Sequence, residues 1–129
     1  MKVLRIMVDV SVTLLHHGHI RLFKQAKEYG NVIVALTTDE EIKHYKGYVP
    51  ELNFEHRKEI LESIKYLDEV VPAPWIITDN FLKKNNIDYL LHGEDNQNHV
   101  DISKTIIIKR TEDISSTILR NKIIQNYEN

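Results

Sequence analysis

The sequence has 129 residues, 42% hydrophobic and 28% charged, which is typical of one globular domain and unlike a disordered chain. Its net charge of −2, spread over both halves, argues against nonspecific nucleic-acid binding, which needs excess positive charge. With no cysteine, no membrane-length apolar run and no signal-peptide core, we expect a single cytoplasmic domain, residues 1–129, without disulfides, thiolate chemistry or a membrane partner.

The first third of the chain predicts two strands that flank a helix. Residues 3–10 are rich in β-branched and apolar side chains, as is typical of a buried strand. Apolar residues then recur at helical spacing over residues 19–29, and we expect Gly30 to cap the end of this helix. The continuous apolar run 32–36 indicates a second strand covered on both faces. This order is a βαβ unit, which favours a parallel sheet with a right-handed crossover.

The rest of the chain continues the alternation of helices and strands. The predicted elements are a weak helix at 40–44, a helix at 54–64 capped by Asn53, a strand at 68–71 stopped by Pro72, a helix at 76–85 capped by Thr78, a strand at 88–91, a strand at 105–108, and a helix at 115–125 with Ile118, Leu119 and Ile123 on its inner face. Five strands alternating with helices predict an α/β fold, a doubly wound parallel sheet with helices on both faces.

Three polar segments follow predicted strand ends, at residues 11–19, 92–98 and 110–117. Open parallel sheets bind ligands at the carboxyl ends of their strands, near the point where the strand order reverses. The sequence therefore predicts a ligand site formed by these three segments.

The first polar segment contains His16, His17, Gly18 and His19 in a strand-to-helix turn. Gly18 permits a close backbone approach, and His19 is expected to open a helix whose free amides attract anions. Imidazoles held there can donate hydrogen bonds to phosphate oxygens without a fixed positive charge. The alternative interpretation is a solvated histidine-rich turn, or a metal site.

The third polar segment runs from Arg110 to Thr117 and also joins a strand to a helix. Arg110 is suited to grip phosphate, and the hydroxyls of Ser115, Ser116 and Thr117, with the amides of the helix start, predict a second anion cradle. The alternative is that Ser115 or Ser116 only caps the helix.

Together these two segments resemble the HxGH and RTxGISTT signatures of the cytidylyltransferase family. The matching residues are His16, Gly18 and His19 in the first signature and Arg110, Thr111, Glu112, Ile114, Ser115, Ser116 and Thr117 in the second. The resemblance covers nearly the whole chain, including residues 38–40, 55–58, 68–71 and 92–95. The middle of the chain also resembles the cytidylyltransferase segments that accompany phosphonate-forming enzymes, and HxGH alone is shared with adenylyltransferases and class I aminoacyl-tRNA synthetases.

This resemblance implies a Rossmann-like fold and a homodimer. It also implies transfer of CMP from CTP to a phosphorylated alcohol, sugar or phosphonate-type acceptor, with Mg²⁺ as cofactor and release of pyrophosphate. Such products serve as precursors of surface polysaccharides or lipids. Two alternatives stay open: an adenylyltransferase that uses ATP, and a nucleotide-binding module with impaired catalysis.

The resemblance also implies roles for individual residues. His16, His19 and Arg110 would be catalytic, Lys46 and Arg57 would bind substrate phosphate from the other side, and no side chain would ligate a metal. The implied nucleotide-binding residues are Val10, Ser11, Gly18, His92, Gly93, Glu94, Asp95, Ile114, Ser115, Ser116 and Thr117.

Three residues depart from the family pattern: Val10 and Asp113 replace glycines, and Thr13 replaces an aspartate. These changes leave the acceptor and the base preference open. Four further side chains have competing interpretations. Arg57 is as compatible with a pair to Glu59 or Glu62 as with a phosphate. Trp75 is expected to be a core or dimer contact, with a position under a substrate as the alternative. The alternatives are a solvated loop lysine for Lys46 and a buried, hydrogen-bonded histidine for His92.

Overall fold

A computed structural model describes residues 2–128 as one sheet flanked by helices. The strands are β1 (Arg5–Val10), β2 (Asn31–Thr37), β3 (Glu69–Ala73), β4 (Tyr89–Gly93) and β5 (Thr105–Ile108). The helices are α1 (His17–Lys27), α2 (Asp39–Lys46), α3 (Phe54–Glu62), α4 (Asp79–Lys84) and α5 (Ser116–Tyr127), with a short 3₁₀ turn at Ile102–Lys104. Asn53 and Thr78 cap α3 and α4, as predicted.

The strand order is β3-β2-β1-β4-β5, and every neighbouring pair is parallel. The chain winds outward from β1 to β3 and then crosses to the other side of β1 for β4 and β5. This confirms the predicted Rossmann-like, doubly wound sheet. The order reverses between β1 and β4, so the crevice expected to bind ligands lies at the carboxyl ends of these two strands.

Apolar side chains of the central strands alternate between two cores, one on each face of the sheet. Ile6 and Val8 of β1 pack with Phe23 of α1 and Leu61 of α3 on one face. Met7, between them, packs with side chains that include Leu82 of α4 on the other. Helices therefore cover both faces, as the continuous apolar strands predicted. Within residues 2–128, every helix is too short or too polar to cross a membrane.

Three sequence expectations about the elements were wrong. Strand β3 continues through Pro72, because it is an edge strand and proline lacks only the N–H that the sheet does not use there. Glu28, not Gly30, ends α1; Gly30 is needed because a Cβ would lie 2.3 Å from the carbonyl oxygen of Leu4. Helix α5 buries none of its side chains, and Ile118 and Ile123 are exposed.

Candidate functional site

A cleft of about 480 Å³ lies at the carboxyl ends of β1 and β4, where the strand order reverses. The structure brings most of the predicted site residues together there. Those that line the cleft are Val10, Ser11, His16, Gly18, His19, Lys46, His92, Gly93, Asp95, Arg110, Ile114, Ser115, Ser116 and Thr117. The three polar segments predicted to form one site therefore do so.

A serine joins the two halves of this site. The hydroxyl of Ser116 donates to the carbonyl oxygen of Leu14 at 2.9 Å and accepts from the Leu14 amide at 3.3 Å. The start of α5 is thereby tied to the loop between β1 and α1. The expectation that this hydroxyl holds a phosphate needs correction, because it is already engaged as donor and acceptor.

The start of helix α5 lines the cleft with Ser115, Ser116 and Thr117. Ser115 is its N-cap, and the Ser115 hydroxyl accepts from the amide of Ile118 at 3.0 Å. The amides of Ser116 and Thr117 belong to the first turn, where a helix has no internal acceptor for them. These two amides and the positive end of the helix dipole form an anion site. The cradle is thus built more from backbone than from the predicted hydroxyls.

The two histidines of the first signature hold each other through the backbone. His16 caps α1, and its Nδ1 accepts from the amide of Gly18 at 3.1 Å. His19 Nδ1 in turn accepts from the amide of His16 at 3.2 Å, which completes a reciprocal capping box. A ring nitrogen that accepts from an amide carries no proton, so in both neutral rings the proton lies on Nε2. Each imidazole is therefore a hydrogen-bond donor at Nε2.

The surroundings keep both rings neutral. Burial, together with the neighbouring charges of His16 and Arg110, lowers the pKa of His19 to about 3. Burial and the nearby His17 also lower the pKa of His16. The ring centroids lie 3.9 Å apart, a spacing at which two imidazolium charges would repel strongly. The pair therefore offers N–H donors without positive charge, as the sequence predicted.

Two glycines leave space that the side chains of His16 and Arg110 occupy. A Cβ on Gly18 would lie 2.8 Å from Cε1 of His16 and 3.1 Å from Cγ2 of Ile114. A Cβ on Gly93 would lie 2.4 Å from Nε of Arg110, whose side chain crosses the end of β4. Arg110 Nε there donates to Oδ1 of Asp95 at 3.0 Å.

Sequence reasoning missed Asp9, which lines the cleft with His92 and with Asn98, the last residue of the predicted polar segment 92–98. Asp9 Oδ2 accepts from Nδ2 of Asn98 at 2.9 Å, whereas Oδ1 lies 3.4 Å from Nε2 of His92. Asp9 Oδ1 is buried and makes no well-aligned hydrogen bond within residues 2–128. Burial by itself would lower the pKa of His92, but the Asp9 carboxylate outweighs it and raises that pKa. The signal that could have identified Asp9 is its carboxylate, which stands among the apolar residues of β1.

Trp75 lines the cleft and is only partly buried, which favours the alternative of a position beside a substrate over a core contact; the expected dimer contact stays a prediction. Its ring stacks on Tyr45 at a centroid distance of 5.5 Å and an interplanar angle of 13°. Lys46 Nζ lies 5.5 Å from the centre of the Trp75 ring, so Lys46 reaches the cleft as predicted.

Two predicted site residues lie outside the cleft. Glu94 is exposed and does not line it. Arg57 is only 1% exposed and binds protein groups instead of open space. The acceptors of its N–H groups are Asp39 Oδ1 at 2.6 Å and the carbonyl oxygens of Ser11, Thr37 and Leu52 at 2.7, 2.9 and 3.0 Å. The prediction that Arg57 binds a substrate phosphate is therefore wrong for this conformation, and its carboxylate partner is neither Glu59 nor Glu62.

Two non-glycine residues beside the site have left-handed backbones. Val12 has φ 48°, which is strained for a β-branched residue, and Asp113 has φ 60°. The left-handed conformation explains why the family signature has glycine where this chain has Asp113. The Asp113 side chain does not line the cleft, so its charge is not added to the anion cradle.

Comparisons with known proteins agree with this geometry. The model of the cytidylyltransferase-like family matches residues 13–122. The chain is 39% identical to the glycerol-3-phosphate cytidylyltransferase of Staphylococcus aureus, over 92% of this chain and 94% of that relative. It is 35% identical to the ethanolamine-phosphate cytidylyltransferase of Dictyostelium discoideum, over 95% of this chain but 37% of that longer protein.

A solved structure shares the fold. The lipopolysaccharide core biosynthesis protein from Thermoplasma volcanium superimposes with a TM-score of 0.72 over 86% of this chain and 100% of that chain, at 18% sequence identity. That likeness supports the Rossmann-like architecture. On the family match and the relatives above, the chain belongs to the cytidylyltransferase-like family and is a nucleotidyltransferase.

Proposed function

We propose that this protein transfers CMP from CTP to a phosphorylated alcohol and releases pyrophosphate. The observation that carries the proposal is the convergence, in one cleft, of two neutral imidazole donors and the first-turn amides of α5. The Ser116–Leu14 hydrogen bonds hold these two donor sets in one arrangement. Donors from two helix starts suit a polyphosphate better than a single phosphate.

In the proposed reaction, an oxygen of the acceptor phosphate attacks the α-phosphorus of CTP. A new P–O bond forms, the bond to the bridging oxygen breaks, and pyrophosphate leaves with the electron pair. The Nε2 donors of His16 and His19 stabilise the charge that grows on the α-phosphate oxygens. The amides of Ser116 and Thr117 hold the β- and γ-phosphates, and Arg110 neutralises charge beside them. No covalent intermediate is needed, because the acceptor phosphate is itself the nucleophile.

The cleft suits a magnesium ion that arrives on the nucleotide. Residues 2–128 contain no group of three side chains arranged to hold a metal ion. Mg²⁺ in nucleotide sites is held mainly by phosphate oxygens and water, with one or two carboxylates. Asp95 would supply such a carboxylate, and the bound ion would neutralise triphosphate charge.

We further propose that the acceptor is a phosphorylated amino alcohol. Asp9 supports this proposal, because it lines the cleft and places a carboxylate charge there, beside His92. An ammonium group complements that charge, whereas a glycerol hydroxyl does not. The relatives include both ethanolamine-phosphate and glycerol-3-phosphate cytidylyltransferases, so the two acceptors need a direct comparison. Lys46 would bind the acceptor phosphate.

Pyrophosphate release measured over a matrix of substrates tests both levels of the proposal. Each of the four nucleoside triphosphates is combined with phosphoethanolamine, phosphocholine, 2-aminoethylphosphonate and glycerol 3-phosphate. We expect release with CTP and an amine-bearing acceptor, and Asp9→Asn should raise the KM for that acceptor more than the KM for glycerol 3-phosphate. Release with ATP alone would favour the adenylyltransferase alternative.

Absence of release from every combination would overturn the proposed reaction. Titration of Trp75 fluorescence with CTP then identifies the remaining alternative, a module that binds nucleotide without turnover. Preference for glycerol 3-phosphate over the amines would overturn only the acceptor assignment. The homodimer stays a prediction from the family resemblance, and light scattering of the purified protein measures it.

A further inference from the structure

Arg120 of α5 connects three segments of the chain. Its Nε and Nη2 donate to the two carboxylate oxygens of Glu51, at 3.0 and 2.9 Å. Nη2 also reaches Oγ1 of Thr13 at 3.3 Å, and the guanidinium lies 4.8 Å from the centre of the Tyr48 ring. One side chain thereby joins α5, the loop after β1, and the loop between α2 and α3.

The α2–α3 loop has few other polar contacts to hold it, although its Pro50 is buried. It starts at Gly47, whose φ of 79° ends α2, and within the described chain residues 48–52 make no backbone–backbone hydrogen bond. Side-chain contacts anchor its end, where Arg57 Nε binds the carbonyl oxygen of Leu52. The paired hydrogen bonds between Glu51 and Arg120 are therefore the main polar anchor of its middle.

This loop forms one wall of the cleft. Tyr48 and, just before the loop, Lys46 line the cleft, as does Thr13 on the opposite side of Arg120. The bidentate geometry fixes the orientation of Glu51 relative to Arg120 as well as their distance, because a guanidinium and a carboxylate pair in one plane. The arrangement also involves Thr13, one of the three residues at which this chain departs from its family.

We propose that Arg120 is a positioning residue for the acceptor side of the cleft, acting through Glu51 on the wall that carries Lys46 and Tyr48. The inference rests on the proposed function and extends it. The helix whose first turn is proposed to hold the polyphosphate also carries Arg120, which holds the acceptor wall. Loss of the pair should loosen the acceptor wall and leave the anion cradle intact.

Three single variants test this proposal. Glu51→Gln removes the charge, and Arg120→Lys keeps the charge but loses the bidentate geometry. Glu69→Gln is the matched control, because Glu69 pairs with Arg5 at 3.1 Å at the opposite end of the sheet. We expect the first two variants to raise the KM for the acceptor about fivefold or more, with the KM for CTP changed less than about twofold. Glu69→Gln should change neither.

A second measurement needs no substrate. Chymotrypsin cleavage after Tyr48 should become at least about fivefold faster in Glu51→Gln and Arg120→Lys but not in Glu69→Gln, because only the first two release the loop. Unchanged cleavage in both Glu51→Gln and Arg120→Lys overturns the proposal, whether or not the protein is active. Faster cleavage with equal rises in both KM values overturns the positioning role. If the wild type turns over no substrate, the proposed function fails and the cleavage assay still decides whether Arg120 holds the loop.

Discussion

The starts of α1 and α5 face the same cleft but use their side chains in opposite ways. At α1 the capping groups are imidazoles, and capping at Nδ1 leaves Nε2 of His16 and His19 as donors for a ligand. At α5 the hydroxyls of Ser115 and Ser116 are engaged with protein groups, which leaves mainly the backbone amides for a ligand. Under the proposed function, the start of α1 contributes side-chain chemistry, and the start of α5 contributes phosphate binding and the Ser116–Leu14 connection between the two.

The largest expected effect separates capping from chemistry at α1. His16→Asn and His19→Gln retain side chains that can cap the helix but lose the Nε2 donor. We expect each to lower turnover about 10²-fold or more, because each removes a hydrogen bond that is strongest in the transition state. Steady-state kinetics measure turnover, and thermal unfolding checks that the fold is retained. Turnover within tenfold of wild type in both variants would contradict the assignment of the imidazoles.

The next effect tests the connection at α5. Ser116→Ala leaves the amide and carbonyl of Leu14 without their partner, which should cost about 1–3 kcal/mol of unfolding free energy. We also expect the KM for CTP to rise about tenfold, because the start of α5 is no longer held in position relative to the two histidines. Urea unfolding and initial rates measure the two effects. Ser63→Ala is the control, because the Ser63 hydroxyl donates to the carbonyl oxygen of Ile60 away from the cleft, and an equal effect there would show that Ser116 has no special role.

The pH dependence of stability distinguishes two histidines in the cleft. The pKa of His19 is lowered to about 3 from its ordinary value, so the unfolded chain binds the extra proton as the pH falls below about 6.5. Unfolding free energy should then decrease toward acid, by up to about 1.4 kcal/mol per pH unit, and His19→Gln should remove that slope.

His92 should affect the pH dependence of the unfolding free energy in the opposite direction. Its pKa is raised, so its contribution to stability is complete below the ordinary histidine pKa and is lost as the pH rises above it. His92→Gln should remove this loss. Urea unfolding from pH 5 to pH 8 of the two variants and the wild type measures both slopes, and parallel curves would contradict the two environments.

The smallest expected effect concerns the departure at Asp113. Asp113→Gly removes the strain of a side chain on a left-handed backbone with φ 60°, which should raise the free energy of unfolding by about 0.5 kcal/mol. Turnover should stay within about twofold, since the Asp113 side chain does not line the cleft. A large gain in turnover would instead favour the alternative in which this aspartate impairs catalysis.

Much of the fold was predictable because local rules and tertiary packing agree in the central strands. The apolar runs of β1 and β2 are covered on both faces, so their pattern is unambiguous. Helix α5 was less predictable because its isoleucines remain exposed in the described chain, and apolar residues on a helix do not reveal which face is covered.

The sequence by itself determined that this chain alternates strands with helices and that His16, Gly18, His19 and Ser115 stand at helix starts, because these properties depend on short-range spacing and capping. The tertiary structure decided which polar groups remain available to a ligand. Arg57 and the Ser116 hydroxyl are engaged by protein acceptors, whereas the Nε2 atoms of His16 and His19 stay free to donate because their Nδ1 atoms cap the helix. The engagement of Arg57 and Ser116 depends on hydrogen-bond partners tens of residues away in the chain. A local sequence pattern does not show whether a polar group is already bonded to such a distant partner.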